Sequence, residues 1–291
     1  MHKRAEAKTV ETRPESAVGL PPPLCGHDRP LSFTRSYKAS CPECGSFWDR
    51  DFLLDHATYD RSYPERRSHF DSVIGALKVR TLRYWMRKLG IRTAELAVCE
   101  VGFGGGFCLS HLRTASRRVF GVEAIRENIE HAVQLGIDPD SLYQAGTLPT
   151  ALVEKVDLWI FQDSFEHLDD PGQFLMWMVK NSSARSKILL VAPNGGSLSE
   201  KILRRSWPHK VSDHRFHWSK KGLIDFFSRH GFIVDDSFFP GKYLSLRMVL
   251  AHMAVKTGGL KRMEPWLSRF PLRDCAFLFN VGEMGLLLRK R

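Results

Sequence analysis

The chain has 291 residues, of which 43% are hydrophobic, enough for one large domain or two small ones with a full core. No apolar run reaches the ~18 residues of a spanning helix, and "MHKRAEAKTVETRPESAVGLPPP" has a basic start with no apolar stretch behind it, so neither a membrane span nor a secretory signal is expected. The formal charge of +11 is carried by two C-terminal segments: residues 201–221 hold seven Lys/Arg and one Asp, and residues 242–291 hold ten Lys/Arg and three Asp/Glu, which leaves the rest at −2.

In chain order, residues 1–20 read as a disordered polar tail. Residues 21–63 form a Cys-, Pro- and Gly-containing segment too short for a core of its own. From Pro64 to Leu89 apolar residues recur at helical spacing, with Gly90 as a stop. Apolar runs then alternate with helical patterns. "LAVCEV" (96–101), "RRVFGVE" (117–123), "SLYQAG", "VDLWIFQD" (156–163) and "SKILLVAP" (186–193) read as strands, with helices into Leu112 and near 126–135 and 171–181. A helix near 219–230, a strand "FIVDDSFF" (232–239) and a last strand "GEMGLLLRKR" (282–291) follow. This alternation predicts βαβ units and a parallel sheet with right-handed crossovers.

Between the first two strands lies "VCEVGFGGGFCLSHL", with four glycines in five residues. A dinucleotide site wants G-x-G-x-x-G, and the sixth position here is Phe107; a P-loop wants Gly-Lys-Ser/Thr, and there is no Lys. What stands is G-x-G-x-G at Gly102, Gly104 and Gly106, preceded by Glu100, with Glu123 ending the second strand 21 residues after Gly102. An acid there can accept two hydrogen bonds from a ribose diol. The pair points to an adenosine ligand without pyrophosphate.

"CEVGFGGGF" with "VFGVEA" resembles motifs I and II of the class I S-adenosylmethionine-dependent methyltransferases. "DLWIFQDSFEHLDDPGQFL" looks like the fourth-strand motif of the ubiquinone-biosynthesis-type branch. "ILLVAPNGGSLSEKILRRSWPH", "HRFHWSKKGLIDFFSRHGF" and "FNVGEMGLLLRK" look like its later elements. The resemblance covers about residues 65–291. It implies an α/β, Rossmann-like seven-strand sheet with helices on both faces, in a domain spanning 64–291, plus the small N-terminal Cys-rich knuckle. It further implies that Gly102, Gly104 and Gly106 let the cofactor lie against backbone, that Glu100 holds its methionine amino end and that Glu123 takes its ribose. Thr147 and Leu148 would flank the adenine, where the family often has an acid or amide, and Gln162 and Asp163 would face the reaction centre.

Asp163, Glu166 and His167 fall within five residues at the carboxyl end of a strand, where open α/β sheets place ligands. Three readings stay open: His167 as a general base, the three residues as ligands of a divalent cation as in some ubiquinone-type O-methyltransferases, or Glu166 and His167 as braces of the following loop. "RRSWPHKVSDHRFHWS" brings Trp207, His214 and His217 to the family's substrate side, with Arg204 and Arg205 among its basic residues. Each histidine there is equally readable as a satisfied core residue.

"LCGHDRPLSFTRSYKASCPECGSFWD" contains Cys25-x-His27 and Cys41-x-x-Cys44, a ligand set suited to tetrahedral zinc. Several methyltransferases of the branch look similar, with paired C-x-x-C knuckles; here Pro22 stands where the first Cys would be. Either His27 replaces it or the site has decayed, and structural zinc is the reading taken here. Without an export signal, the six cysteines are expected to be reduced and the protein cytoplasmic.

The expected activity is S-adenosylmethionine-dependent methyl transfer to an oxygen of a small-molecule acceptor. The charge split suggests an anionic acceptor steered by Arg204, Arg205 and Lys210. No specific nucleic-acid partner is expected, since "QDSFEHL" replaces the Asn/Asp-Pro-Pro-aromatic motif of base methylation. A nucleic-acid methyltransferase and a cofactor-binding module without catalysis are the alternatives. Peripheral membrane contact through the basic, amphipathic "KYLSLRMVLAHMAVKTGGLKRM" is a further reading.

Overall fold

The computed structural model describes residues 24–29, 31–35, 38–49, 71–211, 214, 216–245, 275–280 and 282–291. The expected N-terminal tail, the start of the first long helix at 64–70 and most of the amphipathic basic stretch lie outside these residues.

Helix α1 (Ser72–Lys88) opens on Asp71, whose side chain accepts from the backbone N–H groups of Val73 (2.8 Å) and Ile74 (3.3 Å), and it buries Leu82, Trp85 and Met86. Basic residues Arg87 and Lys88 fill its last turn, where the helix dipole favours them. Strand β4 (Ala97–Val101) is buried along its whole length, as a strand covered on both faces must be. Next come α2 (Phe107–Ala115), β5 (Arg118–Glu123), α3 (Arg126–Gln134), β6 (Leu142–Gln144), β7 (Val156–Gln162), α4 (Pro171–Asn181) and β8 (Ser182–Pro193). After α5 (Leu198–Leu203) and β9 (Phe216–His217) come α6 (Lys220–Arg229), β10 (Phe232–Phe238), β11 (Lys242–Ser245), β12 (Ala276–Phe279) and β13 (Glu283–Lys290).

Seven strands form one sheet in the order β10-β13-β8-β7-β4-β5-β6. Strands β4 to β8 run parallel, as the alternation predicts. The last strand departs from an all-parallel sheet: β13 inserts antiparallel between β8 and β10. The chain order reverses beside β4, so the carboxyl ends of β4 and β7 open a crevice where such sheets bind ligands. Two hydrophobic layers cover the faces, one including Trp159, Phe165 and Phe227, the other including Trp85, Leu109 and Leu112.

The Cys-rich segment is built into this body. It supplies β1 (Ser32–Arg35), β2 (Lys38–Ser40) and β3 (Phe47–Asp49), and β3 pairs antiparallel with β9 through Phe47↔His217 and Trp48↔Phe216. Ser46 Oγ accepts from the Ser219 backbone N–H (2.9 Å), and Ser219 Oγ donates to the Cys44 carbonyl (2.6 Å). Neither this second sheet nor the antiparallel β11–β12 pair is foreshadowed by apolar periodicity, because their strands are too short to show a period. Among the described residues no helix is long and apolar enough to cross a membrane.

Candidate active site

A cavity of about 1390 Å³ opens at the carboxyl ends of β4, β5 and β7. Its floor is the glycine loop between β4 and α2. Gly102 has φ +71°, and a Cβ there would stand 2.4 Å from Ser164 Cβ. Gly106 has φ +78°, with Ala132 Cβ 2.9 Å from the same virtual atom. These two glycines therefore let the loop pack on neighbouring elements, a requirement invisible in the sequence. Gly102, Gly104 and Gly105 line the cavity.

Glu123 ends β5 beside that loop. Its Oε2 accepts from the Gly104 N–H (2.8 Å) and its Oε1 from the N–H groups of Ala124 (2.9 Å) and Ile125 (3.1 Å). Burial pushes its carboxyl above the usual range, against those hydrogen bonds. Glu100 is also buried; desolvation pushes it up to about 8, with the Lys78 ammonium pulling the other way. Its Oε2 has no hydrogen-bond partner among the described residues. Lys78, from α1, lines the cavity and had no sequence signal beyond its place on a predicted helix.

Of the cofactor residues read from the sequence, Glu100, Gly102, Gly104, Glu123, Leu148 and Gln162 line the cavity, whereas Gly106 and Thr147 do not. Asp163, His167 and His214 line its other end, with Glu166 buried behind them. Trp207, His217, Arg204 and Arg205 are not in its wall. Trp207 is buried and donates through Nε1 to Ser199 Oγ (3.2 Å). His217 is buried in the β3–β9 ladder, stacked on Phe47 at 4.7 Å between centroids. Arg204 and Arg205 are exposed, in a 3₁₀ turn after α5. Lys210, expected to meet an anionic acceptor, instead lies 3.0 Å from the buried Asp49 carboxylate. Charged side chains in the wall are mostly acidic: Glu100, Glu123, Glu127, Asp163, Asp169 and Asp170 against Lys78 and Arg126. None of the described Lys or Arg residues of 201–221 lines the cavity, although His214 of that segment does.

The acid–His cluster is divided by tertiary contacts. Asp163 sits at φ +53°, a conformation that side chains other than glycine adopt at a cost, and both its carboxylate oxygens accept from Lys242 Nζ (2.7 and 2.6 Å). Lys242 also reaches Glu283 Oε1 (3.1 Å), which lies 3.3 Å from His209 Nε2. Glu166 joins the histidines instead. His214 Nε2 is 3.2 Å from His167 Nε2 and 3.8 Å from Glu166 Oε1. Burial and the neighbouring imidazoles hold His214 well below the ordinary histidine range, and burial with the nearby Asp163 charge pushes Glu166 well above the carboxylate range. The partners Lys242, His209 and Glu283 come from elements remote in sequence, so no spacing could reveal them.

In the knuckle, His27 Nδ1 lies 3.3 Å from Cys25 Sγ and 3.6 Å from Cys41 Sγ. With Cys44 Sγ these four atoms lie within 4.8 Å of one another. The other ring nitrogen of His27 is 3.4 Å from Asp225 Oδ2 on α6.

Among solved structures the chain resembles a Bacillus halodurans protein provisionally assigned as a methyltransferase, at 15% identity and a TM-score of 0.51, covering 71% of this chain and 97% of that one. It also resembles the YcgJ protein of Bacillus subtilis, at 14% identity and a TM-score of 0.51, over 73% and 98% of the two chains. The fold is that of the class I methyltransferases. No protein-family model matches the chain, and neither does any curated protein.

Proposed function

We propose that this protein is an S-adenosylmethionine-dependent methyltransferase of the ubiquinone-biosynthesis type, acting on an oxygen of a small-molecule acceptor. The observation that carries the reading is the glycine loop locked to the Glu123 carboxylate at the carboxyl ends of β4 and β5, beside the point where strand order reverses. The buried Glu100 oxygen without a partner suits an ammonium group, and the acidic wall suits a cationic sulfonium. Glu123 would hold the ribose, Glu100 the methionine amino group and Leu148 the adenine edge. S-adenosylmethionine, when bound, supplies an electrophilic methyl group. The protein's part is then to align the acceptor with it, exclude water and lower the cost of removing the acceptor's proton. Asp163, Glu166, His167 and His214 stand at the acceptor end.

The domain reading is a methyltransferase body over 64–291 with a knuckle over 21–63 that braces β9. We infer that the knuckle holds one structural zinc ion. Ligand atoms around tetrahedral zinc lie about 3.5–3.8 Å apart, given metal–ligand lengths of roughly 2.0–2.3 Å, and the Cys25–His27 and Cys41–His27 separations of 3.3 and 3.6 Å come close to this. Asp225 beside the second ring nitrogen of His27 is the kind of carboxylate that orients a metal-bound imidazole.

Calorimetry with S-adenosylhomocysteine tests the cofactor site. Glu123→Ala removes the acceptor for three backbone N–H groups and the ribose, so affinity should fall by at least about tenfold, each charge-assisted hydrogen bond being worth ~1.5–3 kcal/mol. Unchanged affinity would remove the basis of the proposal. Methyl-labelled cofactor should mark the small-molecule fraction of a cell extract; label appearing in RNA instead would favour the nucleic-acid alternative.

A further inference from the structure

The acid–His cluster departs from what the family resemblance implies for a metal. In that reading Asp163, Glu166 and His167 would be the ligands. Here both Asp163 oxygens are held by Lys242, while His214, from the segment before β9, takes a place beside Glu166 and His167. We propose that Glu166, His167 and His214 form a divalent transition-metal site at the acceptor end of the cavity, with Asp163 outside it.

Three observations support this donor set. His214 Nδ1 lies 2.9 Å from the His209 carbonyl oxygen, so Nδ1 carries the proton and Nε2 presents its lone pair. That Nε2 is 3.2 Å from His167 Nε2 and 3.8 Å from Glu166 Oε1. Nitrogen ligands about 2.1 Å from one metal, at octahedral or tetrahedral angles, lie roughly 3.0–3.4 Å apart. Glu166 is 7% exposed, and neither carboxylate oxygen has a hydrogen-bond partner among the described residues. A buried carboxylate in that state calls for a cation or a proton. Two imidazoles and one carboxylate select Fe, Mn, Co or Zn over Mg or Ca and leave coordination positions open.

A general-base role is poorly served by the same geometry. If His167 Nε2 carries a proton, it is spent on His214 Nε2, neither of the two facing nitrogens offers a lone pair to the cavity, and His167 Nδ1, the remaining basic atom, is buried. As ligands, both lone pairs converge on one point. His167 and His214 line the cavity that Gly104 and Glu123 also line, so the open positions face an acceptor. A hydroxyl bound there through oxygen loses its proton to water more easily. Its C–O bond then forms as the methyl–sulfur bond breaks, leaving a neutral thioether. This last role rests on the methyltransferase proposal; the metal site does not.

The test titrates Co(II) into the full chain with its knuckle already loaded with zinc, reading visible absorption and metal content. One cobalt per chain beyond the knuckle metal is expected. Affinity should fall at least ~10-fold in His214→Ala and in the near-isosteric Glu166→Gln, and stay within ~3-fold of the parent in Asp163→Asn. S-adenosylhomocysteine binding serves as the folding control and reports separately on the cofactor site. No cobalt uptake, uptake indifferent to Glu166→Gln, or loss in Asp163→Asn as severe as in His214→Ala would each overturn the assignment. The first would leave a plain hydrogen bond between the two imidazoles, and the last would restore the Asp–Glu–His set.

Discussion

Gly102→Ala separates two reasons for a glycine in the loop after β4. The first is backbone: φ is +71°, and a left-handed conformation costs a residue with a Cβ about 1–2 kcal/mol. The second is packing: the new Cβ would overlap Ser164 Cβ at 2.4 Å, and overpacking of this kind costs about 1–3 kcal/mol. The two together predict a loss of about 2–5 kcal/mol. Ser164→Gly removes only the second cost, because the next atom, Ser164 Cα, stands 3.7 Å away, an ordinary contact. Ser164→Gly also deletes the hydroxyl that donates to the Val101 carbonyl at 2.5 Å, so the comparison needs the full double-mutant cycle. Urea unfolding of the four proteins, followed by far-UV circular dichroism, should give a coupling of about 1–3 kcal/mol favouring the double variant. A Gly102→Ala protein within ~0.5 kcal/mol of the parent, or an unchanged cost in the Ser164→Gly background, would refute the packing explanation.

Three further outcomes are expected. Lys242→Met strands Asp163 and the buried Glu283, whose carboxyl burial pushes up but Lys242 and His209 hold well below the usual range; unfolding should become easier by about 3–5 kcal/mol, and a loss under 1 kcal/mol would contradict the pairing. Cys41→Ser/Cys44→Ser should remove one zinc per chain by metal analysis and speed amide exchange at Phe216 and His217, which pair with β3; a zinc-free parent from zinc-replete medium would end the zinc reading. Burial, helped by His209, Lys38 and Lys210, lowers His217 to about 3. Its folded value lies below its unfolded one, so its contribution is present above pH ~6.5 and is lost as pH falls towards 3, at up to about 1.4 kcal/mol per pH unit. His217→Gln should flatten the fall in stability between pH 7 and 5, and equal slopes in urea titrations would exclude this.

The sequence by itself determined what depends on neighbours along the chain. The buried runs at 97–101, 156–162 and 186–193 announce strands because a strand covered on both faces must be apolar throughout. The glycine loop and Glu123 could be paired because one βαβ unit brings them together at a fixed spacing. The Cys25, His27, Cys41 and Cys44 cluster is local enough for its residues to be grouped from their spacing alone. Tertiary structure alone decided which polar groups meet across elements. Asp163, Glu166 and His167 fall within five residues of one motif, yet Lys242 from β11 takes the first and His214 joins the other two. Trp207 and His217 look like acceptor residues, yet both are buried outside the cavity wall, His217 in β9, which pairs with the distant β3 in register Phe47↔His217, and Trp207 against the His217 ring. Two basic residues of 201–221 are drawn to carboxylates elsewhere by the same folding, Lys210 to Asp49 and Lys221 to Asp225. A buried charge settles on whichever opposite charge the packed backbone brings within reach, and sequence spacing carries no record of that distance.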